Sequence, residues 1–230
     1  MSDRQTPAPP VFVDLEASGL LSGSYPIEVG WAKPYALPWG RGCAIELGSV
    51  LVRPEPELIA AGGWNPDAEA VHGLDREALL RDGLPAAEVC ALLDREFAGR
   101  MVVTDTGAGS ADKVWLAALY EAAGRRPRGW EVAQPTADQL LLTACRAHGL
   151  RAALVMAALH WRAPQPTHAA AEDALCHAWR HAMVQQIGRF RVGERDEAGQ
   201  RAALRDLGHT VPPDCWPRIG AAGRGFRTRG

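Results

Sequence analysis

Asp14 and Glu16 are the residues from which chemistry can first be read. They lie in the run Val11-Phe12-Val13-Asp14-Leu15-Glu16-Ala17-Ser18-Gly19-Leu20, where strand-forming apolar residues lead into two acids and Ser18-Gly19 ends the pattern. Residues two apart on a β-strand share a face, so the two carboxylates stand side by side at the end of a strand that otherwise reads as buried. Their charges repel, and desolvation disfavours both. A cation between them relieves both penalties. Hard oxygen donors with few protein partners suit Mg²⁺ or Mn²⁺. An Asp-x-Glu pair alone fits a solvated strand end better, because short motifs recur by chance. The other acids therefore decide the reading.

Asp112 opens a helical stretch just after 106–110 (Thr-Gly-Ala-Gly-Ser), where the helix dipole favours an acid. Asp105, at the end of the preceding short strand, is a second candidate. A strand end beside a helix start is where α/β folds place functional groups. The third cluster is Thr167-His168-Ala169-Ala170-Ala171-Glu172-Asp173-Ala174. On one helix His168 and Asp173 would lie about 140° apart. With His168 on the loop after Pro166 and Asp173 in the first turns of a helix, both can face one site, and the alanines let that helix pack closely on a sheet.

The elements that must hold these residues follow from periodicity and punctuation. Residues 26–33 alternate as a second strand and 43–52 read as a third, and short connections between consecutive strands predict a three-stranded antiparallel meander. Asn65-Pro66 starts a short helix, Asp75 caps another, and 85–98 has a helical period. Residues 101–103 read as a short buried strand and 111–123 as a helix. A brief strand at 131–134 precedes helices at 136–148, 152–161 and 169–187. The order predicts α/β with a mixed sheet.

Composition narrows the classes. The 230 residues, 47% hydrophobic, suffice for one large domain, and the net charge of −2 carries no global polyanion signal. Lys33 and Lys113 are the only lysines, so arginine supplies nearly all basic charge. That usage suits phosphate recognition, but base composition of the genome explains it more simply. The five cysteines are scattered without a C-x-x-C, which argues against a disulfide framework or zinc site and fits a reducing cytoplasm. No signal-like or membrane-length apolar run occurs.

Three segments are expected: a flexible start (1–10), a catalytic-type domain (11–187) and an Arg-rich extension (188–230). The extension carries nine Arg against five acids. It could attract phosphates. The favoured reading is a solvated, partly disordered chain with only 198–207 helical.

Together the motifs resemble the DEDDh branch of the DnaQ-like and ribonuclease T-like 3′–5′ exonucleases, on the ribonuclease H-like fold. Asp14-Leu15-Glu16 matches the first motif, Ile27-Glu28-Val29-Gly30 the family's second strand, and 65–74, ending His72-Gly73-Leu74, the family's His-Gly-Ile segment. Asp112, ahead of Trp115-Leu116, falls on the second motif. Thr104-Asp105-Thr106 and Ala111 stand where relatives carry His-Asn and an aromatic residue. His168-Ala169-Ala170-Ala171-Glu172-Asp173-Ala174 matches the third motif, and Ala169 stands where the Tyr branch has tyrosine.

The resemblance, covering about residues 11–187, implies a three-layer fold with a mixed five-stranded sheet flanked by helices. It implies two Mg²⁺ or Mn²⁺ ions held by Asp14, Glu16, Asp112 and Asp173, a two-metal hydrolysis of phosphodiesters, and His168 as general base. Ala17, Ser18 and Leu20 would line the pocket for the terminal nucleotide. Glu28 would pack the strand and His72 would anchor a loop. The implied substrate is the 3′ end of single-stranded DNA or RNA, cut to 5′-nucleotides, with no membrane partner and a homodimer by analogy. The alternatives are a non-catalytic module of the same fold that binds nucleic acid or protein, and a phosphodiesterase of small oligonucleotides.

Overall fold

The computed structural model describes residues 9–20, 23–37, 42–56, 63–105 and 111–219. The expected flexible start up to residue 8, the turn at 21–22, the loop segments 38–41, 57–62 and 106–110, and the Arg-rich end 220–230 lie outside the described residues.

The expected meander forms. Strands β1 (Val11–Ala17), β2 (Pro26–Ala36) and β3 (Cys43–Leu51) are antiparallel neighbours, with Asp14 opposite Gly30 and Glu16 opposite Glu28. β4 (Met101–Thr104) runs parallel to β1, and β5 (Glu131–Val132) parallel to β4. A sixth strand corrects the expected count of five: β6 (Arg218–Ile219) pairs in parallel with β3, giving the order β5-β4-β1-β2-β3-β6. Two residues of ladder on an edge leave no period in the sequence, so only the chain's return to that edge defines β6.

Three of the helices begin where a local side chain satisfies their first N–H groups. Asn65 caps α1 (Pro66–His72) and Asp75 caps α2 (Arg76–Asp82). A reciprocal Thr136–Gln139 box opens α5 (Ala137–Ala147). Between them run α3 (Ala86–Glu96) and α4 (Ala111–Ala122), and after them α6 (Ala152–Leu159) and α7 (Ala170–Arg189).

β1 divides the core by its period of two. Val11, Val13, Leu15 and Ala17 pack with Val89, Leu93, Leu116 and Leu119 of α3 and α4 and with Phe97, which follows α3. Phe12 faces the other layer, with Leu141, Val155, Met183 and Ile187 of α5, α6 and α7. Full burial of each large apolar side chain contributes about 1.5–3 kcal/mol. Asp14 and Glu16 share the parity of Phe12 and so lie on the face that α7 crosses.

The stretch after residue 187 is not mainly solvated chain. It folds into α8 (Glu197–Arg205) and α9 (Leu207–Thr210), and Val192, Ala203, Leu204, Leu207 and Val211 join the same core as α7. Gln200 fastens it: its amide donates to the carbonyls of Gly149 and Arg195 at 3.1 Å each, and its oxygen accepts from Arg151 N at 3.0 Å. The described part holds six Arg against five acids, and the remaining three Arg (Arg224, Arg227 and Arg229) lie outside it. Among the described residues no single helix is long and apolar enough to cross a membrane.

Candidate active site

Three chain segments converge at the C-terminal end of β1. β1 brings Asp14 and Glu16, the first turn of α4 brings Asp112, and the entry to α7 brings His168 and Asp173. Asp14, Glu16, His168 and Asp173 line one cavity of about 310 Å³. One ligand atom from each of Glu16, His168 and Asp173 lies within 4.8 Å of the other two. Asp112 is 6% exposed and bears on Asp14 through its charge.

The approach of α7 to the sheet depends on Gly30. A Cβ at that position would collide with the backbone of Ala170 and Ala171. Gly30 sits opposite Asp14, so its missing side chain lets the start of α7 descend onto the acid pair. The residue at the N-cap position, Ala169, has no side-chain acceptor. Glu28 supplies one across the sheet: its carboxylate accepts from Ala170 N at 3.3 Å. Glu28 is therefore a cap for the helix that carries Asp173, rather than strand packing alone.

The loop into α7 is closed on itself. Asp173 accepts from Thr167 N at 2.7 Å and from His168 N at 3.2 Å, while Thr167 Oγ1 donates to Glu172 at 2.5 Å. His168 takes φ of 57°, a left-handed conformation costly for a side chain with a Cβ. These bonds hold that conformation and keep the exposed imidazole off the helix, beside Glu16 and Asp173.

The electrostatics of the site are those of crowded carboxylates. Burial, then the charges of Asp112, Glu16, Asp173 and Asp105, push the Asp14 carboxyl up to about 9. Asp105 behaves differently. Its carboxylate lies 3.3 Å from His177 Nε2 on α7, and that hydrogen bond holds it below the usual range despite partial burial. Of the two candidates for the second motif, Asp105 is thus engaged by a histidine, and Asp112 is the buried one closest in charge effect to Asp14.

Two expected roles change. Ser18, 1% exposed, donates its hydroxyl to Gly63 O at 2.7 Å and accepts from Tyr25 N at 3.0 Å. It anchors the loop, and the cavity is lined by its neighbours Ala17, Gly19 and Leu20 instead. His72 is the expected loop anchor, accepting from Leu74 N at 3.0 Å, and it also lines the cavity. Ala68 and Val71 of α1 and Trp115 of α4 complete the walls. Sequence reading missed these three. Val71, 55% exposed on a short helix just before His72-Gly73, is the one apolar signal that could have suggested a wall.

The residues present fit a divalent cation. Glu16, Asp173 and buried Asp112 are hard oxygen donors around an Asp14 that, without a cation, retains its proton to about pH 9.

No protein-family model matches the sequence, and no curated protein matches it by sequence. Solved structures match the fold. An E. coli ExoI–ssDNA complex in its zinc-bound form superposes at a TM-score of 0.54 and 13% identity, over 89% of this chain and 43% of that one. Exonuclease I from Methylocaldum szegediense gives 0.51 and 18%, over 85% and 45%. E. coli exonuclease I in complex with a dT13 oligonucleotide gives 0.50 and 13%, over 84% and 45%. The chain spans less than half the length of each of these structures. It has the α/β, ribonuclease H-like fold that they share, as its motifs led us to expect.

Proposed function

We propose that the chain is a metal-dependent 3′–5′ exonuclease that removes 5′-nucleotides from the 3′ end of single-stranded DNA or RNA. The observation that carries this reading is the convergence of Asp14, Glu16, His168 and Asp173 on one cavity, with buried Asp112 acting on Asp14, whose carboxyl is pushed up to about 9 by burial and by the surrounding carboxylates. The four carboxylates would hold two Mg²⁺ or Mn²⁺ ions. Bound there, the ions supply charge neutralisation at the phosphodiester and acidify water.

The chain's own residues do the rest. His168 accepts the proton of the water that adds to phosphorus, and the bond to the 3′ oxygen of the preceding nucleotide breaks. Its left-handed backbone and the Asp173 bonds to Thr167 N and His168 N fix where that imidazole can be. Ala17, Gly19 and exposed Leu20, with Val71 across α1, offer apolar contact to the terminal nucleotide. Trp115, tied to Ser24 Oγ at 3.2 Å, closes one wall. The departure of the second motif from the relatives' pattern does not remove its acid, and buried Asp112 favours a working site over an inert module.

The test is cleavage of 3′- and 5′-labelled single-stranded DNA and RNA with Mg²⁺ or Mn²⁺. Stepwise shortening from the 3′ end is expected. Asp173→Asn should lower the rate by about 10²–10³-fold, and His168→Ala by about 10²–10⁴-fold. Intact polymer after incubation with metal-loaded wild type would overturn the reading. Cleavage confined to short oligonucleotides would move it to the small-oligonucleotide phosphodiesterase.

A further inference from the structure

Trp161 is 83% exposed, on the loop between α6 and α7. An indole so placed has no structural reason to be aromatic, yet the chain around it is firmly held. Its ring meets His160 edge to face, with centroids 4.4 Å apart. Gln165 Nε2 donates to His160 O at 2.9 Å and to Ala163 O at 3.0 Å, and Ala163 N donates to Leu159 O at 2.9 Å. Leu159 and Ala163 are buried on either side. The loop, held by these backbone bonds, presents a flat apolar ring to solvent.

Beside it lies positive charge without a carboxylate partner. Arg162 Nη1 donates to Ala158 O and Nη2 to Arg205 O, both neutral carbonyls. Among the described residues neither Arg162 nor Arg205 pairs with an acid. With Arg201 they rim an open groove of about 310 Å³, floored by Leu154, Ala157, Ala158 and Leu204. Arg151 meets Glu197 at the start of α6 and α8, and Arg162 meets Arg205 at their ends. The two helices therefore run parallel, and the basic end is the one from which the chain leaves for the candidate site. Trp161 precedes His168 by seven residues, a reach of at most about 25 Å.

We infer that Trp161, Arg162 and Arg205 form a docking surface for single-stranded nucleic acid upstream of the 3′ end held at Asp14 and His168. Trp161 stacks on a base and the two guanidiniums meet phosphates, the combination that non-specific single-strand binding uses. The inference rests on the exonuclease reading and names where the rest of that substrate lies.

Hydrolysis and binding of a trinucleotide and of a strand of about twenty nucleotides separate the two claims. Trp161→Ala should weaken long-strand binding about tenfold or more and leave trinucleotide hydrolysis unchanged. Trp161→Phe should restore most of the loss and abolish the quenching of exposed tryptophan emission on binding. Arg205→Ala should lower the log–log salt slope of long-strand binding by about 0.7. Unchanged long-strand binding in Trp161→Ala and Arg205→Ala, with wild-type cleavage intact, would overturn the surface alone. Equal losses on both substrates would overturn it too, as a distortion of the site. A wild type that neither binds nor cuts either substrate overturns the nuclease reading and this surface together.

Discussion

Asp94 and Asp14 are both largely buried carboxylates, and the molecule treats them in opposite ways. On α3, Asp94 accepts from Tyr120 Oη at 2.8 Å, Trp130 Nε1 at 3.0 Å, Arg128 N at 3.0 Å and Arg125 Nη2 at 3.3 Å. Four donors, one of them cationic, replace the water it lost, and the tilted rings of Phe97, Trp130 and Tyr120 pack around them. On β1, Asp14 meets the charges of four other carboxylates and is driven toward its neutral form. The first arrangement is complete within the chain. The second crowds like charges together, and none of the causes acting on Asp14 offsets them. A buried acid is evidence of function when its neighbours fail to satisfy it, and of architecture when they succeed.

The contrast breaks most severely at Asp94. Asp94→Ala takes the shared acceptor from the Trp130 indole, the Tyr120 phenol and the Arg125 guanidinium, leaving the last two only their bonds to Cys90 O and Ala87 O, and should cost about 3–5 kcal/mol whether or not metal is present. In thermal unfolding that is a fall of about 6–20 °C in Tm for a chain of this length. A loss that vanished on adding Mn²⁺ would erase the distinction between the two acids.

Gly30→Ala comes next. The new Cβ meets backbone of α7, which cannot rotate away, so overpacking should cost about 1–3 kcal/mol. Because Gly30 faces Asp14, cleavage should fall more than stability does. Unfolding curves and cleavage rates on the same preparation check this, and retention of full activity would separate the Gly30 contact from the site.

The smallest effect has the most telling sign. The folded value of Asp14, about 9, lies above its ordinary 3.8, so the metal-free folded chain keeps a proton that the unfolded chain releases. Its contribution to stability is therefore present at low pH and lost as pH rises from about 4 through 9. Asp14→Asn has no such proton to lose. In EDTA at pH 8 the variant should be more stable than wild type, and equal to it near pH 4. Saturating Mn²⁺ at pH 8 should reverse the order, because the wild type then gains the cation. Unfolding midpoints across pH, with and without metal, read both signs.

The parts legible from local sequence are those whose cause is local. A run of strand formers placed β1, alternation placed β2, and short connections set β3 beside them. Asn65, Asp75 and Thr136 marked helix starts because their side chains bond N–H groups two or three residues on. His168 and Asp173 were readable as loop and first turn because Pro166 precedes them and alanines follow. The stretch after 187 misled because its few apolar residues, Val192, Leu204, Leu207 and Val211, are diluted among arginines. Whether they find a core depends on α7 and on the Gln200 bonds rather than on their own spacing.

The amino-acid order by itself determined the acidic pair on one strand face, the histidine before its helix and the α/β plan, since periods of two and 3.6 are properties of neighbouring residues. Only the tertiary structure showed that Asp105 is engaged by His177, which arrives from another helix, while Asp112 is buried and acts on Asp14 through its charge. It also made Glu28 a cap, Ser18 an anchor and Val71 and Trp115 walls. Each of those roles is set by a partner more than 40 residues away in the chain or by sheet register. A sequence carries such contacts only through the packing that brings their two ends together.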